Sequence, residues 1–541
     1  MSQNPYTIAF IQPNLYKDSV ALMRVAQRLL SMPEIVNATL QMGNPANKDI
    51  LSEAGLLTDA VKDAGPSDIM VVVQAHNQQA CETAVQQCHA QLSGQNQIAG
   101  SAGADGLETQ LAAKTIAMGL QRWSSEAVVA NLVQISVPGA YAAAEALKAV
   151  KQGLNVFLFS DNVPLEQEVM LKAEATRRGV LVMGPDCGTA MIGGVPLGFA
   201  NVVRRGHIGL VAASGTGLQE VTTQIDRLGA THAIGVSHAI GTGGRDVYAA
   251  VGGATMLQGI KLLAADPQTH VLAIVSKPPA PEVLEKVLAA LVAAGKPAVV
   301  AFLGSSPQSA SKHIHFADTL VDCAAMAVKL AKQQRKLRAV PGQRLAEPKG
   351  VARQSDYPIP KLPRFASTQR YLRALFSGGT YAAEAQIIWS KTRGMKVWSN
   401  VAIDAAFDLP NPRQNSLEHT ALDLGDDAFT VGRPHPMIDQ AARIERLLLE
   451  AADPTVRVIL LDVVIGWGAH ADPARELAKA ITQAKAIAKR GGRLLAVVGF
   501  VCGTEADPQV LSRQEVQLLA AGMVLAPNSA SAAWLAGQWV S

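Results

Sequence analysis

Short apolar runs rich in Val, Ile and Leu alternate with amphipathic stretches along the whole chain. The apolar runs predict strands at Thr7–Ile11, Thr39–Met42, Ile69–Val73, Leu132–Ser136, Val156–Ser160 and Leu181–Met183. A second series follows at Ile208–Ala212, Val271–Val275 and Ala298–Phe302, and a third at Leu372–Phe376, Arg457–Leu461 and Leu494–Val498. Between them, apolar residues recur at helical spacing, as in Tyr141–Lys151, Leu165–Arg178, Leu218–Leu228 and Pro473–Arg490. Strand–helix alternation with short turns predicts an α/β fold with parallel, doubly wound sheets. Two segments interrupt the pattern. Ser93–Gly106 is rich in Gly, Ser and Ala and reads as a surface loop. Lys329–Leu362 opens with a basic run and then carries Pro341, Pro348, Pro358 and Pro360. It reads as an interdomain connection, a solvated linker being favoured over a nucleic-acid contact. Domain boundaries are therefore expected near residues 204 and 345.

Length and composition narrow the class. A chain of 541 residues is long enough for three or four domains. Apolar residues make up 49% and aromatics 4%, with 45 glycines, a balance suited to buried parallel sheets covered by helices. The net charge of +4 is too small to argue for nucleic acid or a membrane surface. No apolar stretch approaches the ~20 residues of a membrane span. Cys81, Cys88, Cys187, Cys323 and Cys502 form no CxxC pair, which argues against a disulfide framework or thiolate zinc site and for a reducing compartment. With no signal-peptide pattern in the opening residues, the expectation is a cytoplasmic protein without a structural metal.

One pattern recurs. Ile135-SVPGAYAAAEA, Val211-AASGTGLQE and Phe376-SGGTYAAEA each end a strand, turn on glycine and start a helix that carries Glu145, Glu220 or Glu384. Three such units suggest duplicated folds that direct helix N-termini at one kind of ligand. In the second unit, Ser214, Gly215 and Thr216 combine hydroxyls, close backbone approach and free helix-start N–H groups, which suits phosphate or carboxylate. The same residues also serve as a plain N-capped turn. Gly243 and Gly244 precede Arg245, whose planar fork suits an anion, although an Asp-capped helix start with a surface Arg explains them too. Asp423, Asp426 and Asp427 run into Arg433, His435 and Asp439, with Pro436 marking a helix start. A neutral His435 there has the chemistry of a proton shuttle; capping aspartates and a loop histidine are the bland alternative. Gly466, Gly468, Gly503 and Thr504 end later strands, where open α/β sheets bind ligands. Gly184, Asp186 and Cys187 follow another apolar strand. With no histidine nearby in sequence, Cys187 reads as a substrate or cofactor contact rather than a nucleophile.

The stretches MGPDCGT, GHIGLVAASGTGLQE, GTGGRD, VSKPP, SGGTYAAEA, LDLGDDAFTVGRPHPMID, LLDVVIGWGAHADP and GTEADPQ, in this order, resemble the FdrA branch of the succinyl-CoA synthetase superfamily. The resemblance covers nearly the whole chain. It implies a Rossmann-like CoA-binding-type domain over 1–203, an α-subunit-type flavodoxin-like domain over 204–340 and a β-subunit-type flavodoxin-like domain over 345–541.

Two departures bear on activity. Where the ligases carry an active histidine in a GHAGA-type motif, this chain reads VVAFLGSSPQSASKHIHF, and their supporting glutamate motif is replaced by Ser276-Lys277-Pro278-Pro279. Nor is there a segment left over for an ATP-grasp domain of roughly 200 residues. In the ligases, paired helix N-termini flank the phosphohistidine, and the matching positions are taken as Ser214–Thr216 and Arg433–Pro436. Emptied of histidine, such a cleft suits inorganic phosphate beside a carbamoyl carbonyl. The resemblance accordingly implies a carbamoyltransferase subunit in ureide breakdown, phosphorolysing oxalurate to oxamate and carbamoyl phosphate within a hetero-oligomer. Arg245 or Arg433 would stabilise carbonyl charge, and His435 would protonate the leaving nitrogen. A CoA-using, acyl-CoA synthetase-like enzyme and a non-catalytic scaffold subunit are the alternatives.

Overall fold

The computed structural model describes residues 5–15, 17, 19–30, 32–92, 113, 115–124, 129–232, 234–305, 311–334, 364–430 and 433–540. Contacts divide the chain into two compact units: Met1–Gln121 with Val431–Pro434, and Arg122–Thr430 with His435–Ser541. The Ser93–Gly106 loop and most of the expected linker, residues 335–362, lie outside the described residues; Lys329–Gln333, the linker's expected start, is helical.

In the first unit, β1 (Tyr6–Gln12), α1 (Ser19–Leu30), β2 (Ile35–Met42), α2 (Pro45–Glu53), β3 (Ile69–Ala75) and α3 (Gln78–Leu92) follow in order. The sheet runs β1-β3-β2, with β3 antiparallel to both neighbours. This corrects the expectation of one parallel Rossmann-type sheet across residues 1–203. The α1 crossover leaves β1 and β2 parallel but apart, and β3 returns between them in the opposite sense, a split β-α-β arrangement. β2 carries the matching signature, since Ala38, Leu40 and Met42 are buried while the residues between them are not. The central strand buries Ile69 to Val73 on both faces. One face packs on Leu29, Cys81, Ala84 and Cys88, the other on Leu51 and Val61. A helix α4 (Ile116–Ser124) follows.

The second unit holds three sheets. β4 (Leu132–Ile135), α5 (Gly139–Lys151), β5 (Asn155–Leu158), α6 (Leu165–Arg178) and β6 (Val182–Met183) make a small parallel sheet. β7 (Thr189–Ile192), β8 (Val195–Gly198), β9 (Arg205–Ala212), α7 (Gly215–Gly229), β10 (Val236–Gly241), α8 (Ala254–Ala265), β11 (Val271–Ser276), α9 (Pro281–Ala294), β12 (Ala298–Phe302), β13 (Ile314–Phe316) and α10 (Leu320–Gln333) come next. They build a sheet of order β13-β12-β11-β9-β10-β7-β8. It is parallel from β13 to β10, and the β7–β8 hairpin adds an antiparallel edge. The expected boundary near 204 therefore falls inside this sheet's sequence, because β7 pairs with β10 and β8 with β7, neither with β6.

The last sheet comes from β14 (Tyr371–Phe376), α11 (Gly379–Arg393), β15 (Thr420–Asp423), α12 (Asp427–Thr430), α13 (Ala441–Ala452), β16 (Val456–Val464), α14 (Pro473–Arg490), β17 (Ala496–Cys502), α15 (Leu511–Ala520), β18 (Val524–Leu525) and α16 (Ser529–Gln538). Its order is β15-β14-β16-β17-β18, all parallel. β11 and β17 are buried at every position, which explains why they read as unbroken apolar runs.

One continuous core joins the two large sheets through α7, α10, α11 and α16, with Leu218, Val221, Ile225, Tyr381, Trp389 and Leu535 among its members. α7 is buried almost all round, so its polar residues must find partners. Gln219 donates to Asn201 Oδ1 at 3.2 Å, and Gln224 donates to the Pro527 carbonyl at 3.2 Å. Among the described residues no helix is long and apolar enough to cross a membrane.

Candidate functional site

Two of the recurring turns meet. Ser214 and Gly378 cap α7 and α11, and the residues that follow align position by position, Gly215 with Gly379, Thr216 with Thr380 and Glu220 with Glu384. The contacts are reciprocal between first and third positions. Ser214 Oγ and Thr380 Oγ1 share a hydrogen bond of 2.5 Å, and a Cβ placed on Gly378 would sit 2.4 Å from Thr216 Cγ2. The serine-to-glycine difference thus has a steric cause: Thr216 occupies the space a side chain at 378 would need. The glutamates repeat this exchange. Glu220 accepts from the Ser529 N–H at the start of α16, and Glu384 accepts from the Leu320 N–H at the start of α10 (2.8 Å), so each sheet's helix caps the other sheet's last helix. Both carboxyls are buried, which raises their pKa values, Glu384 to about 7.

At the α11 tip the Gly378 cap supplies no side-chain acceptor, so the first-turn N–H groups are not capped by it. Asp423, at the end of β15, accepts from the Gly425 N–H at 2.9 Å, and its Oδ2 lies 2.8 Å from where a Gly379 Cβ would stand. Lys277 Nζ, just past β11, lies 3.7 Å from the same point. The Asp423 carboxyl is 8% exposed and is pushed up to about 7, chiefly by burial, then by Asp426 and Asp462 against the pull of the Gly425 N–H and Lys277. His435 Nε2 lies 2.6 Å from the Cβ position of Gly425, and its ring packs on Phe199 with centroids 5.6 Å apart. Burial, helped by Arg443, holds His435 down to about 4, so it is neutral near pH 7. Nδ1 accepts from the Met437 N–H at 3.2 Å, which leaves the ring proton on Nε2, toward Gly425. Behind the tip, buried Asp462 accepts from the Ser377 N–H (3.0 Å) and pairs with buried Arg443 at 3.0 Å.

The remaining expected residues lie elsewhere. The helix tip that meets Ser214 is that of α11, and His435 of the Arg433–Pro436 turn lies beside Gly425 next to Asp423. Arg245 is committed to Glu168 (2.9 Å) and the Val163 carbonyl (2.7 Å), beside the buried Lys172–Asp246 pair. Gly243 has φ 78° and no room for a Cβ, which would meet the Pro185 carbonyl at 2.1 Å, while Gly244 has open space. Gly466 and Gly468 face the segment Gly198–Asn201: Trp467 N–H donates to the Ala200 carbonyl at 2.8 Å, and Cβ atoms at the two glycines would meet Ala200 and Phe199. Thr504 Oγ1 donates to the Val202 carbonyl at 2.6 Å, and a Cβ on Gly503 would collide with Ile465. Chain, not open space, fills these turns. Asp426 caps α12 through the Ala428 N–H. Cys187 is buried with its thiol pushed up to about 12, which removes the thiolate a nucleophile requires. Gly184 and Asp186 flank the cis Gly184–Pro185 bond, and Asp186 is pushed up to about 7 by burial and by Asp161 and Asp427. The third recurring unit stands apart: a Cβ on Gly139 would meet the Asp161 carbonyl at 2.2 Å, and half-buried Glu145 pairs with Lys148. Sequence reasoning passed over Gly378–Thr380 and Lys277 as site residues, although the first-to-third alignment of the two repeats was there to be read.

Residues 375–539 match the CoA-ligase family, and residues 6–108 match the family described as AllF, heavy metal-associated domain. The chain is 40% identical over 535 residues to YahF, an uncharacterised protein of Escherichia coli, covering 98% of both. It belongs to the FdrA branch of the succinyl-CoA synthetase superfamily. This FdrA-type chain is CoA-ligase-like. It shares 28% identity over 155 residues with the ADP-forming sulfoacetate-CoA ligase subunit SauD of Bilophila wadsworthia, covering 27% of this chain and 50% of that one. It shares 28% over 157 residues with the succinate–CoA ligase α subunit of Aquifex aeolicus, covering 27% and 48%. Among solved structures, an ATP citrate lyase from Methanothrix soehngenii in complex with citrate and coenzyme A is similar at 16% identity and TM-score 0.35, over 63% of this chain and 56% of that one.

Two groups implied by these families meet a poor fit. In the heavy-metal-type domain, Cys81 and Cys88 are core thiols raised by burial, Cys88 to about 12, and Cys81 Sγ donates to the Val73 carbonyl. Among the described residues no group of three metal-ligating side chains forms. Coenzyme A would place its phosphates at the carboxyl ends of parallel strands. Beyond β5 and β6 stand Asp161 and Asp186 with Asp427 near them, while Arg245 is already paired to Glu168. That acidic end does not fit a pyrophosphate.

Proposed function

We propose that the chain is the group-transfer subunit of a CoA-ligase-type enzyme. Its paired helix tips hold the phosphate of an acyl phosphate while the acyl carbon passes to an acceptor. The observation that carries this reading is the reciprocal meeting of α7 and α11, which brings two positive helix ends together beside Lys277. Backbone N–H groups there stabilise charge that grows on the departing phosphate and the carbonyl oxygen. The CoA-ligase match over residues 375–539 supports the class. Other subunits would supply whatever the reaction needs from an ATP-grasp domain, and the cytoplasm is the expected location.

A second reading keeps the same chemistry and changes the acceptor. The acidic end of the small sheet, with Asp161, Asp186 and Asp427, weighs more against the multiply charged coenzyme A than against a small, singly charged amide acid. The reaction is then carbamoyl transfer between carbamoyl phosphate and oxamate, the reverse of oxalurate phosphorolysis. In that reading His435 and Asp423 line the acceptor side. The test uses the full chain purified with its natural partner subunits. Acetyl phosphate with coenzyme A, and carbamoyl phosphate with oxamate, are supplied separately, and phosphate release and product are measured. Thioester supports the first reading and oxalurate the second; no turnover with either pair removes both.

A further inference from the structure

Lys277 and Asp423 come from different sheets, one past β11 and the other at the end of β15, yet both reach the point above Gly379. Nζ and Oδ2 stand 3.7 and 2.8 Å from it, at the first turn of α11. Among the described residues they form no ion pair, so the fold holds a cation and a carboxyl near one helix tip without joining them. Resting on the proposed function, we propose that these two side chains divide the work there. The Lys277 ammonium holds the phosphate of an acyl or carbamoyl phosphate, and the Asp423 carboxyl relays the acceptor's proton to it. The substrate class is a phosphate anion joined to a carbonyl. The acceptor, a thiol or an amide written X–H, attacks the carbonyl carbon. The C–X bond forms, the carbon–oxygen bond to phosphate breaks, and the proton from X passes to the Asp423 carboxylate and then to the leaving phosphate oxygen. No proton is gained or lost overall.

The surroundings equip Asp423 for this role better than His435. Charged or titratable groups near Asp423 are Lys277 beyond β11, Asp426 ahead of α12, Asp462 on β16 and His435 ahead of α13; Arg443 on α13 is occupied by Asp462. A helix tip alone would favour the carboxylate. Burial and the two other aspartates oppose that, so Asp423 changes charge near neutral pH while His435 stays neutral. A relay works best when its pKa lies near the working pH.

The experiment is calorimetry of the full chain with sulfate, an anion that does not itself titrate near neutrality, in two buffers of different ionisation heat at about pH 7. An anion beside Asp423 favours its neutral form, so binding takes up a fraction of a proton. In Asp423→Asn binding is retained or tighter and the proton uptake disappears. In Lys277→Met, at an exposed position outside the packed core, binding weakens about ten-fold, a ratio that corresponds to ~1.4 kcal/mol. Sulfate binding without proton uptake, or binding that Lys277→Met leaves unchanged, overturns the inference while the helix-tip reading stands. If the wild-type chain binds no sulfate at all, both fall.

Discussion

Gly378→Ala isolates the contact on which the paired tips depend. The backbone at 378 has φ −169° and ψ 140°, extended and open to any residue, so the substitution carries no backbone strain. What it meets is Thr216: the new Cβ would lie 2.4 Å from Cγ2 and 2.6 Å from Oγ1. Carbon atoms rest at about 3.5–4.0 Å, so the overlap exceeds an ångström. Thr216 is β-branched, buried and in the first turn of α7, with few rotamers available, so the helix tips must separate. Overpacking of this kind costs about 1–3 kcal/mol. The assay is the denaturant midpoint of the second unit, measured for Gly378→Ala, Thr216→Ala and the pair. Thr216→Ala removes the two atoms the new methyl overlaps most, leaving only Cβ at 3.1 Å, so the double variant should recover about 1 kcal/mol or more relative to the sum of the singles. Costs that add within about 0.5 kcal/mol, or a Gly378→Ala chain as stable as the parent, would show that the tips do not touch as described.

Glu384 gives a pH prediction. Its folded pKa, about 7, lies above the ordinary glutamate value, so its contribution to stability is complete in acid and is lost as pH rises through about 7. Glu384→Gln keeps an acceptor for Leu320, so the variant should gain on the parent between about pH 5 and 8; a stability difference that ignores pH refutes this. Arg443→Met leaves Asp462 buried without its cation and should cost about 3–5 kcal/mol by chemical denaturation, partly recovered in Arg443→Met with Asp462→Asn. An undiminished denaturation midpoint in the single variant contradicts the pairing. All five cysteines are buried, so a thiol reagent should label essentially none in the native chain and all five in denaturant. Rapid native labelling of Cys187 would restore it as a reactive group.

By itself the sequence determined the α/β class, the most apolar strands of both large sheets (β9, β11, β12, β14, β16 and β17) and the turn at Ser214, whereas β7, β8, β10, β13, β15 and β18 were not marked by it. These are local matters, carried by unbroken apolar runs such as Val271–Val275 and by glycine at strand ends. It also contained the repeat that aligns Ser214 with Gly378 and Glu220 with Glu384, since duplicated units keep their spacing. Tertiary structure alone decided what each turn faces. Gly466, Gly468 and Thr504 look like ligand turns in sequence, yet they are filled by residues 198–202, more than 260 positions away, and Gly503 is filled by Ile465. Strand direction in the first unit was expected to be parallel and is antiparallel, because the alternation in β2 records one buried face and not which neighbour it pairs with. The charge states at the α11 tip follow from burial and from Lys277, Asp423 and His435 converging from separate elements. Desolvation and charge proximity depend on distance in space, which spacing along a chain does not encode.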